Sequence, residues 1–343
     1  MEINVKKGKI LEGDSNMNKD ERTIFWNALL EARNLKDIEK VYATIKLPKF
    51  VYRYRAVNEY SLSALGKNEL FFSTSNYYDD PFDTYFHINW DMPKKMATAL
   101  NNGTVPEPMF SGNEYLRSQV AKAKGTDLTG ATENVIGYLK EIRNDMRKNT
   151  WSICFSESFD NENLWLKYAD RHKGFVMEYE VKQLLEGDMR VIGCGLCDNC
   201  KNNSLKAAIW PVYYAKEKYD ATEYASFCAA CKLFEQNGMS DIVQQLLSEE
   251  LYTWDAMRVI LTKKWVHHYD EEWRLVLAPQ YNIKSQCKPL KECKPSRIIL
   301  GLNIECENQQ KILFQAKNAG IGCCHKMTIN DADDFVVDER NLL

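Results

Sequence analysis

The chain has 343 residues, 45% of them apolar, enough to fill the core of one large domain or two small ones. Its formal net charge of −3 gives no bulk electrostatic case for coating nucleic acid, and local basic stretches such as Lys140 to Lys148 and Lys263-Lys264 read as solvated helix faces. The longest apolar runs are strand-sized, which excludes a membrane span, and the polar N-terminus (Glu2, Lys6, Lys7, Lys9) carries no hydrophobic signal region. A cytoplasmic protein without a membrane partner is expected, with its eleven cysteines as thiols or metal ligands rather than disulfides.

In chain order, residues 1–18 read as loose and polar, and Glu21 to Leu35 places Ile24, Phe25, Leu29 and Leu30 at helical spacing. A strand is predicted over 50–56, where Phe50, Tyr52 and Tyr54 alternate with Val51, Arg53 and Arg55. Asn58 can cap a short helix that runs through Leu65 and ends at Gly66. Leu70 to Ser75 reads as the next strand, and this strand–helix–strand unit brings Arg55 toward Ser73. Residues 92–149 read as mostly helical, with Val135, Ile136, Leu139, Ile142 and Met146 on one stripe. A strand over Trp151 to Phe155, a short helix over Asn161 to Asp170 and a strand over Gly174 to Tyr179 follow. After a cysteine-rich loop come a strand over Ile209 to Tyr214, two helices within 221–262, and strands near 272–278 and 297–301. A helix over 306–319 and a strand over 321–328 complete the series.

Strands and helices are interspersed without a strict βαβ rhythm, which predicts an α+β fold. Residues 1–48 read as an N-terminal helical extension. Residues 49–343 read as a single α+β domain with a helical insertion at 92–149 and a cysteine-rich, helical insertion at 190–262.

Three strand-like segments carry the candidate chemistry. They are Val51-Tyr52-Arg53-Tyr54-Arg55, Leu70-Phe71-Phe72-Ser73-Thr74-Ser75 with Asp79-Asp80-Pro81-Phe82-Asp83 after it, and Asp270-Glu271-Glu272-Trp273-Arg274-Leu275-Val276-Leu277. An arginine, a Ser-Thr-Ser and a late glutamate preceded two residues earlier by an acid resemble the Arg-Ser-Glu signature of ADP-ribosyltransferases. That resemblance implies a mixed, largely antiparallel split sheet and an enzyme that uses NAD.

A second resemblance rests on an ordered set of motifs over roughly residues 50–330. It comprises Tyr52-Arg53-Tyr54-Arg55, Asp79-Asp80-Pro81-Phe82-Asp83, Leu164-Trp165-Leu166-Lys167-Tyr168-Ala169, His172-Lys173-Gly174-Phe175 and Glu271-Glu272-Trp273-Arg274. The set resembles the bacterial family named domain of unknown function 2971. That family usually has Asn-Asp-Pro-Phe where this chain has Asp79-Asp80-Pro81-Phe82, and Glu-x-Glu where it has Asp270-Glu271-Glu272. The family name implies no activity, so the chemistry has to come from the residues.

Transfer of ADP-ribose from NAD breaks the glycosidic bond to nicotinamide through an oxocarbenium-like transition state. Three groups are needed. An arginine fork holds the pyrophosphate or its ribose, a hydroxyl fixes the nicotinamide-ribose strand, and a carboxylate binds the ribose hydroxyls and faces the developing cation. Arg55, Ser73 and Glu272 are assigned these roles, and Asp270, read as sharing a strand face with Glu272, orients or deprotonates the acceptor. Arg53, Thr74, Asp80, Phe82 and His172 are assigned to the nucleotide pocket, with Asp83 beside them. Arg53 is given the opposite strand face from Arg55 and replaces it if the register is shifted. The enzyme reading requires Arg55, Ser73 and Glu272 in one cleft. Glu272 on the opposite sheet face from Arg55 would sink it.

Each piece also has a plainer reading. Arg55 and Glu272 can form a structural ion pair, Ser-Thr-Ser and Asp80-Pro81 can be turn chemistry, and His172-Lys173-Gly174 can close a helix. Trp165, Tyr168 and Trp273 fit a core or pocket wall.

Cys194, Cys197 and Cys200 form a doubled C-x-x-C, and Cys228 and Cys231 form another on a helix. Such pairs chelate tetrahedral zinc, the preferred set being Cys197, Cys200, Cys228 and Cys231, and a four-thiolate zinc would be structural. An iron–sulfur cluster is the rival, but Ser204 stands where its fourth cysteine belongs, and buried thiols without metal are the remaining reading. Cys323-Cys324 read as packing residues.

The leading expectation is an ADP-ribosyltransferase-like enzyme that cleaves NAD and modifies a protein, nucleic acid or small molecule. The resemblance further implies a bacterial toxin or an anti-phage defence effector. The alternatives are a non-catalytic nucleotide- or partner-binding protein with a structural zinc knob, and a metal-dependent nuclease built on Asp79, Asp80, Asp83, Asp270 and Glu272. The nuclease reading is disfavoured because the sequence places no lysine or histidine to serve those acids.

Overall fold

In the computed structural model, the described residues are 17–92, 129–186, 189–192, 206–236, 238, 240–248, 252, 254–277 and 287–343, with isolated positions between 95 and 118. The strands are β1 (Phe50–Arg55), β2 (Glu69–Phe71), β3 (Ser73–Thr74), β4 (Trp151–Ser156), β5 (Phe175–Glu180), β6 (Met189–Ile192) and β7 (Ala207–Pro211). They continue with β8 (Tyr213–Ala215), β9 (Thr262–Lys264), β10 (Glu272–Leu277), β11 (Lys288–Glu292), β12 (Arg297–Leu300), β13 (Cys324–Ile329) and β14 (Phe335–Asp338). The main sheet runs β14-β13-β12-β5-β1-β4-β10-β7, and β3 joins it by pairing with β4. All its pairings are antiparallel except β12 with β13. A three-stranded sheet β2-β11-β6 and a parallel pair β8-β9 lie beside it. The fold is thus α+β with a mostly antiparallel open sheet.

Central strands are covered on both faces. Every residue of β10 and all but Cys154 of β4 are buried, so these strands read as continuous apolar runs broken by a few polar side chains. Those few polar side chains are the ones that matter for the site.

Local chemistry explains the helix starts. Asn18 forms a capping box with Glu21 at the head of α1 (Lys19–Glu31), and Asn34 caps α2 (Leu35–Thr44). Asn58 forms another capping box, with Ser61, at the head of α3 (Glu59–Gly66). The long helix α4 spans Thr129–Asn149, and Asn161 caps α5 (Glu162–Lys167).

The predicted strand over Leu70 to Ser75 is two strands in two sheets. Phe72 sits between them with its N–H donating to the carbonyl of Pro289 at 3.0 Å, so β2 stays with β11 while β3 crosses to β4. The predicted strand over Ile209 to Tyr214 also breaks in two, at Val212, whose N–H still donates to the Glu272 carbonyl of β10 while the Tyr213 N–H turns to the Leu261 carbonyl and β8 pairs with β9. Several elements go beyond the sequence reading, among them α2, β6, β9, β11, β14 and the short helix Val181–Leu185, and among the described residues three helices rather than two lie within 222–260. The first two helices share the main core instead of standing off it. Phe25, Trp26, Leu29, Ile38, Val41, Tyr42 and Ile45 belong to the same apolar cluster as Val51, Trp210 and Trp273. No helix among the described residues is long and apolar enough to cross a membrane.

Candidate active site

The sheet splits at β4. Its C-terminal end pairs with β1 at a single rung, Tyr52 opposite Ser156, and its N-terminal end pairs on the same edge with β3, Ser73 opposite Ser152. Between the two, β1 has left the ladder, and a cavity of about 320 Å³ opens there, at the small end of ligand pockets. Arg53 and Arg55 border it from β1, Ser152, Cys154 and Ser156 from β4, and Ser73 from β3. Tyr77, Tyr78, Asp79, Asp80 and Asp83 come from the loop after β3, and Lys263, Asp270 and Glu272 form the far wall.

Arg53 and Arg55 are the unbalanced charges. Neither has an ion pair or a side-chain hydrogen bond among the described residues. Burial pulls the Arg53 guanidinium down to about 9, and the neighbouring Arg55 charge adds to the effect. Burial also lowers Arg55. Both stay cationic at neutral pH. Gly174 lets the end of β1 come this close to β5, since a Cβ at Gly174 would lie 2.1 Å from the Arg55 carbonyl oxygen.

The opposite wall is a ladder of alternating charge. Lys263 Nζ lies 2.7 Å from Asp270 Oδ2 and 2.8 Å from Glu272 Oε2. Arg274 Nε donates to Glu272 Oε1 at 2.6 Å, and its two terminal nitrogens clasp Asp83 at 2.9 and 2.6 Å. Burial alone would raise the Glu272 carboxyl, but Arg274 and Lys263 outweigh it and hold the group well below the usual carboxylate range. Three carboxylates against two cations leave the ladder with one net negative charge. Asp80 lies 3.2 Å from His267 Nε2. Burial and Glu272 push the Cys154 thiol up to about 12, so it is no nucleophile at neutral pH.

Several sequence assignments need correction. Arg53 and Arg55 are two residues apart, so they share a strand face, and both reach the cavity. The plain Arg55–Glu272 ion pair is absent, because both oxygens of Glu272 are taken by Lys263 and Arg274. Asp270 is not on the strand. It ends the 3-10 turn Trp265–Asp270, and Glu271 follows in a left-handed conformation at φ 43° before β10 begins. Asp270 and Glu272 converge through Lys263, not through strand parity. The same lysine overturns the statement that no lysine or histidine serves the acids. Its ammonium occupies the space between two carboxylates where a nuclease would need a divalent ion.

Register adds a constraint. Glu272, Ser156 and Tyr52 lie on one rung and point to one face, so Arg53 and Arg55 have the parity of the other face. By parity this is the arrangement fatal to the enzyme reading, and in an unbroken sheet it would separate them from Glu272. Here β1 has parted from β4, and both sets border the one cavity.

Thr74, Phe82 and His172 do not line it. Thr74 is buried opposite Trp151. Phe82 faces a separate small hollow. His172 stacks on Trp165 with ring centroids 5.8 Å apart. The helix predicted to close at Gly174 ends at Lys167, and Asp170, Arg171 and His172 form a left-handed turn after it. Missed by the sequence reading were Lys263, Arg274 and Tyr78, whose hydroxyl lies 2.5 Å from that of Ser152. Arg274 belongs to the Glu271-Glu272-Trp273-Arg274 motif, two residues from Glu272, and that spacing is the available signal.

Of the candidate zinc ligands, Cys194, Cys197 and Cys200 lie outside the described residues. Cys228 and Cys231 lie on the helix Thr222–Gln236, where burial pushes their thiols up to about 12 and about 11. Among the described residues no group of three or more His, Cys, Asp or Glu can hold a metal ion. Cys324 is buried, and Cys323 Sγ lies 3.0 Å from His325 Nε2.

No curated protein and no solved structure matches the chain. One family model, described as a protein of unknown function (DUF2971), matches residues 164–275, a stretch that takes in Lys263, Asp270, Glu272 and Arg274.

Proposed function

We propose that the cavity binds NAD and cleaves its nicotinamide–ribose bond, in the manner of an ADP-ribosyltransferase. One observation carries the reading. Two arginines without an anionic partner and a net-negative carboxylate ladder border the same cavity. A dinucleotide has the matching polarity, with an anionic pyrophosphate for Arg53 and Arg55 and a cationic nicotinamide ring at its other end. Ser73 offers a hydroxyl on the third wall. Tyr77, 81% exposed at the mouth, offers a face on which a ring can stack.

In the reaction the C1′–N bond breaks, its electron pair stays on the departing neutral nicotinamide, and positive charge develops on the ribosyl carbon. Glu272, held ionised, faces that charge. The acceptor oxygen or nitrogen forms the new bond to C1′, and its proton passes to Asp270, whose Oδ1 has no hydrogen-bond partner among the described residues.

A second reading, nucleotide binding without cleavage, is favoured by the tethering of both Glu272 oxygens and by the register that turns it from the arginines. Incubating the purified protein with NAD separates the two. Released nicotinamide supports the transferase. Saturable NAD binding without release supports the second reading, and absence of binding overturns both.

A further inference from the structure

Outside the cavity, on the far side of the loop that carries Asp80 and Asp83, three cations from distant segments meet exposed aromatic rings. Lys218 Nζ lies 4.5 Å from the Phe82 ring centroid and 4.3 Å from that of Tyr85. Lys264 Nζ lies 4.6 Å from the Phe82 centroid. The Arg143 guanidinium lies 4.3 Å from the Tyr85 ring and 5.4 Å from the Trp90 ring. Phe82 is 50% exposed and Trp90 39%.

None of the three cations has an ion pair among the described residues, and Arg143 Nε is buried without a hydrogen-bond partner. Burial lowers Lys218, and the charges of Lys264 and Arg143 lower it further. The nearby acids do not balance them. Asp80 is turned to His267, and Glu217 is an exposed residue at the rim of the small hollow. Phosphates would relieve this mutual repulsion, and bases can pack on the exposed parts of Phe82 and Trp90. Cations interleaved with aromatic faces form the pattern that tracks a single strand, while a duplex hides its base faces. Lys263 borders both this hollow and the main cavity, so a strand on the patch leads to the ladder of Asp270 and Glu272.

We propose that this surface binds single-stranded nucleic acid and presents it to the cavity as the acceptor. The acceptor role rests on the transferase reading, whereas the binding does not.

The test is fluorescence anisotropy of a labelled 15-nucleotide oligothymidine against the full chain, with nicotinamide release from NAD in water measured separately. Three phosphate contacts predict that affinity falls roughly twentyfold between 50 and 200 mM salt. Lys218→Glu with Lys264→Glu should weaken binding more than tenfold, and Phe82→Ala about tenfold. The proposal is overturned by no binding at 50 mM salt, by binding that survives the charge reversals, by tighter binding of duplex, or by equal competition from polyglutamate. Oligonucleotide binding without nicotinamide release sinks the transferase reading, and with it the acceptor role, and leaves this surface standing. Nicotinamide release without oligonucleotide binding sinks this surface alone.

Discussion

Burial opposes the charges of Arg53 and Arg55, and a charge held against that penalty is the mark of a candidate functional group. At neutral pH both are charged, and burial with mutual repulsion opposes that charge. Replacing either by methionine keeps much of the volume and removes the penalty. Arg53→Met and Arg55→Met should therefore each raise the thermal midpoint, by about 2 °C or more, while abolishing any stabilisation by NAD. A fall in midpoint for both would mean that the guanidinium groups serve packing. Glu272 differs because its charge is matched. Changing Glu272 to Gln leaves two cations, Lys263 and Arg274, against two carboxylates, Asp270 and Asp83, so the ladder becomes neutral and the chain should fold. Nicotinamide release should drop by roughly 10²–10³. Unchanged release would remove Glu272 from catalysis. The acid limb gives a second readout. The folded-state carboxyl lies below its ordinary 4.5, so it stabilises the fold above that pH and ceases to as pH falls through the folded value. The midpoint advantage of wild type over Glu272→Gln should accordingly shrink below about pH 4.5.

Helix α1 shows how an element outside the motifs holds the site. Arg22 on it donates to the carbonyls of Val212 at 2.8 Å and Glu272 at 3.1 Å, and pairs with Glu157 at 3.1 Å. The other oxygen of Glu157 accepts from the Met17 N–H. At the far end, Arg258 donates to the carbonyls of Leu29, Leu30 and Ala32, the orphan acceptors of the last turn. Arg22→Met strands a buried carboxylate, so it should destabilise the chain by about 3–5 kcal/mol in urea unfolding. Adding Glu157→Met should recover most of that loss, and a double variant no better than the single one would point to the carbonyl contacts instead. The sequence makes the start of this helix legible, because Asn18 and Glu21 have capping-box spacing. It does not reveal that a single arginine anchors the helix to β10, since Arg22 and Glu272 are 250 residues apart. Strand breaks were also hidden. Phe72 and Val212 look like ordinary strand residues, and what divides their strands is a change of partner just after them, Ser73 pairing with β4 and Tyr213 with β9.

For the molecule as a whole, the order of strands decides what the scattered residues can do. The sequence pointed to Arg55, Ser73, Asp270 and Glu272, and all four border one cavity. It could not show why they meet, because the reason is topological: β1 and β3 share one edge of β4 and leave a gap between them. Nor could it show the ladder, since Lys263 reaches Asp270 across the 3-10 turn Trp265–Asp270, and the sequence reading placed Asp270 on the strand. The gap divides the sheet into two parts, one running from β1 to β14 and the other from β4 to β7, joined at the Tyr52–Ser156 rung. A ligand held by Arg53 and Arg55 on one part and by the ladder on the other would link them. NAD at 100 times its dissociation constant should then add about 2.7 kcal/mol to stability. Hydrogen exchange should slow on both sides of the gap, at the open edge of β1 and at Cys154 of β4. Protection confined to β1 would mean that the arginines bind an anion without engaging the ladder, and the transferase reading would fall while anion binding stood.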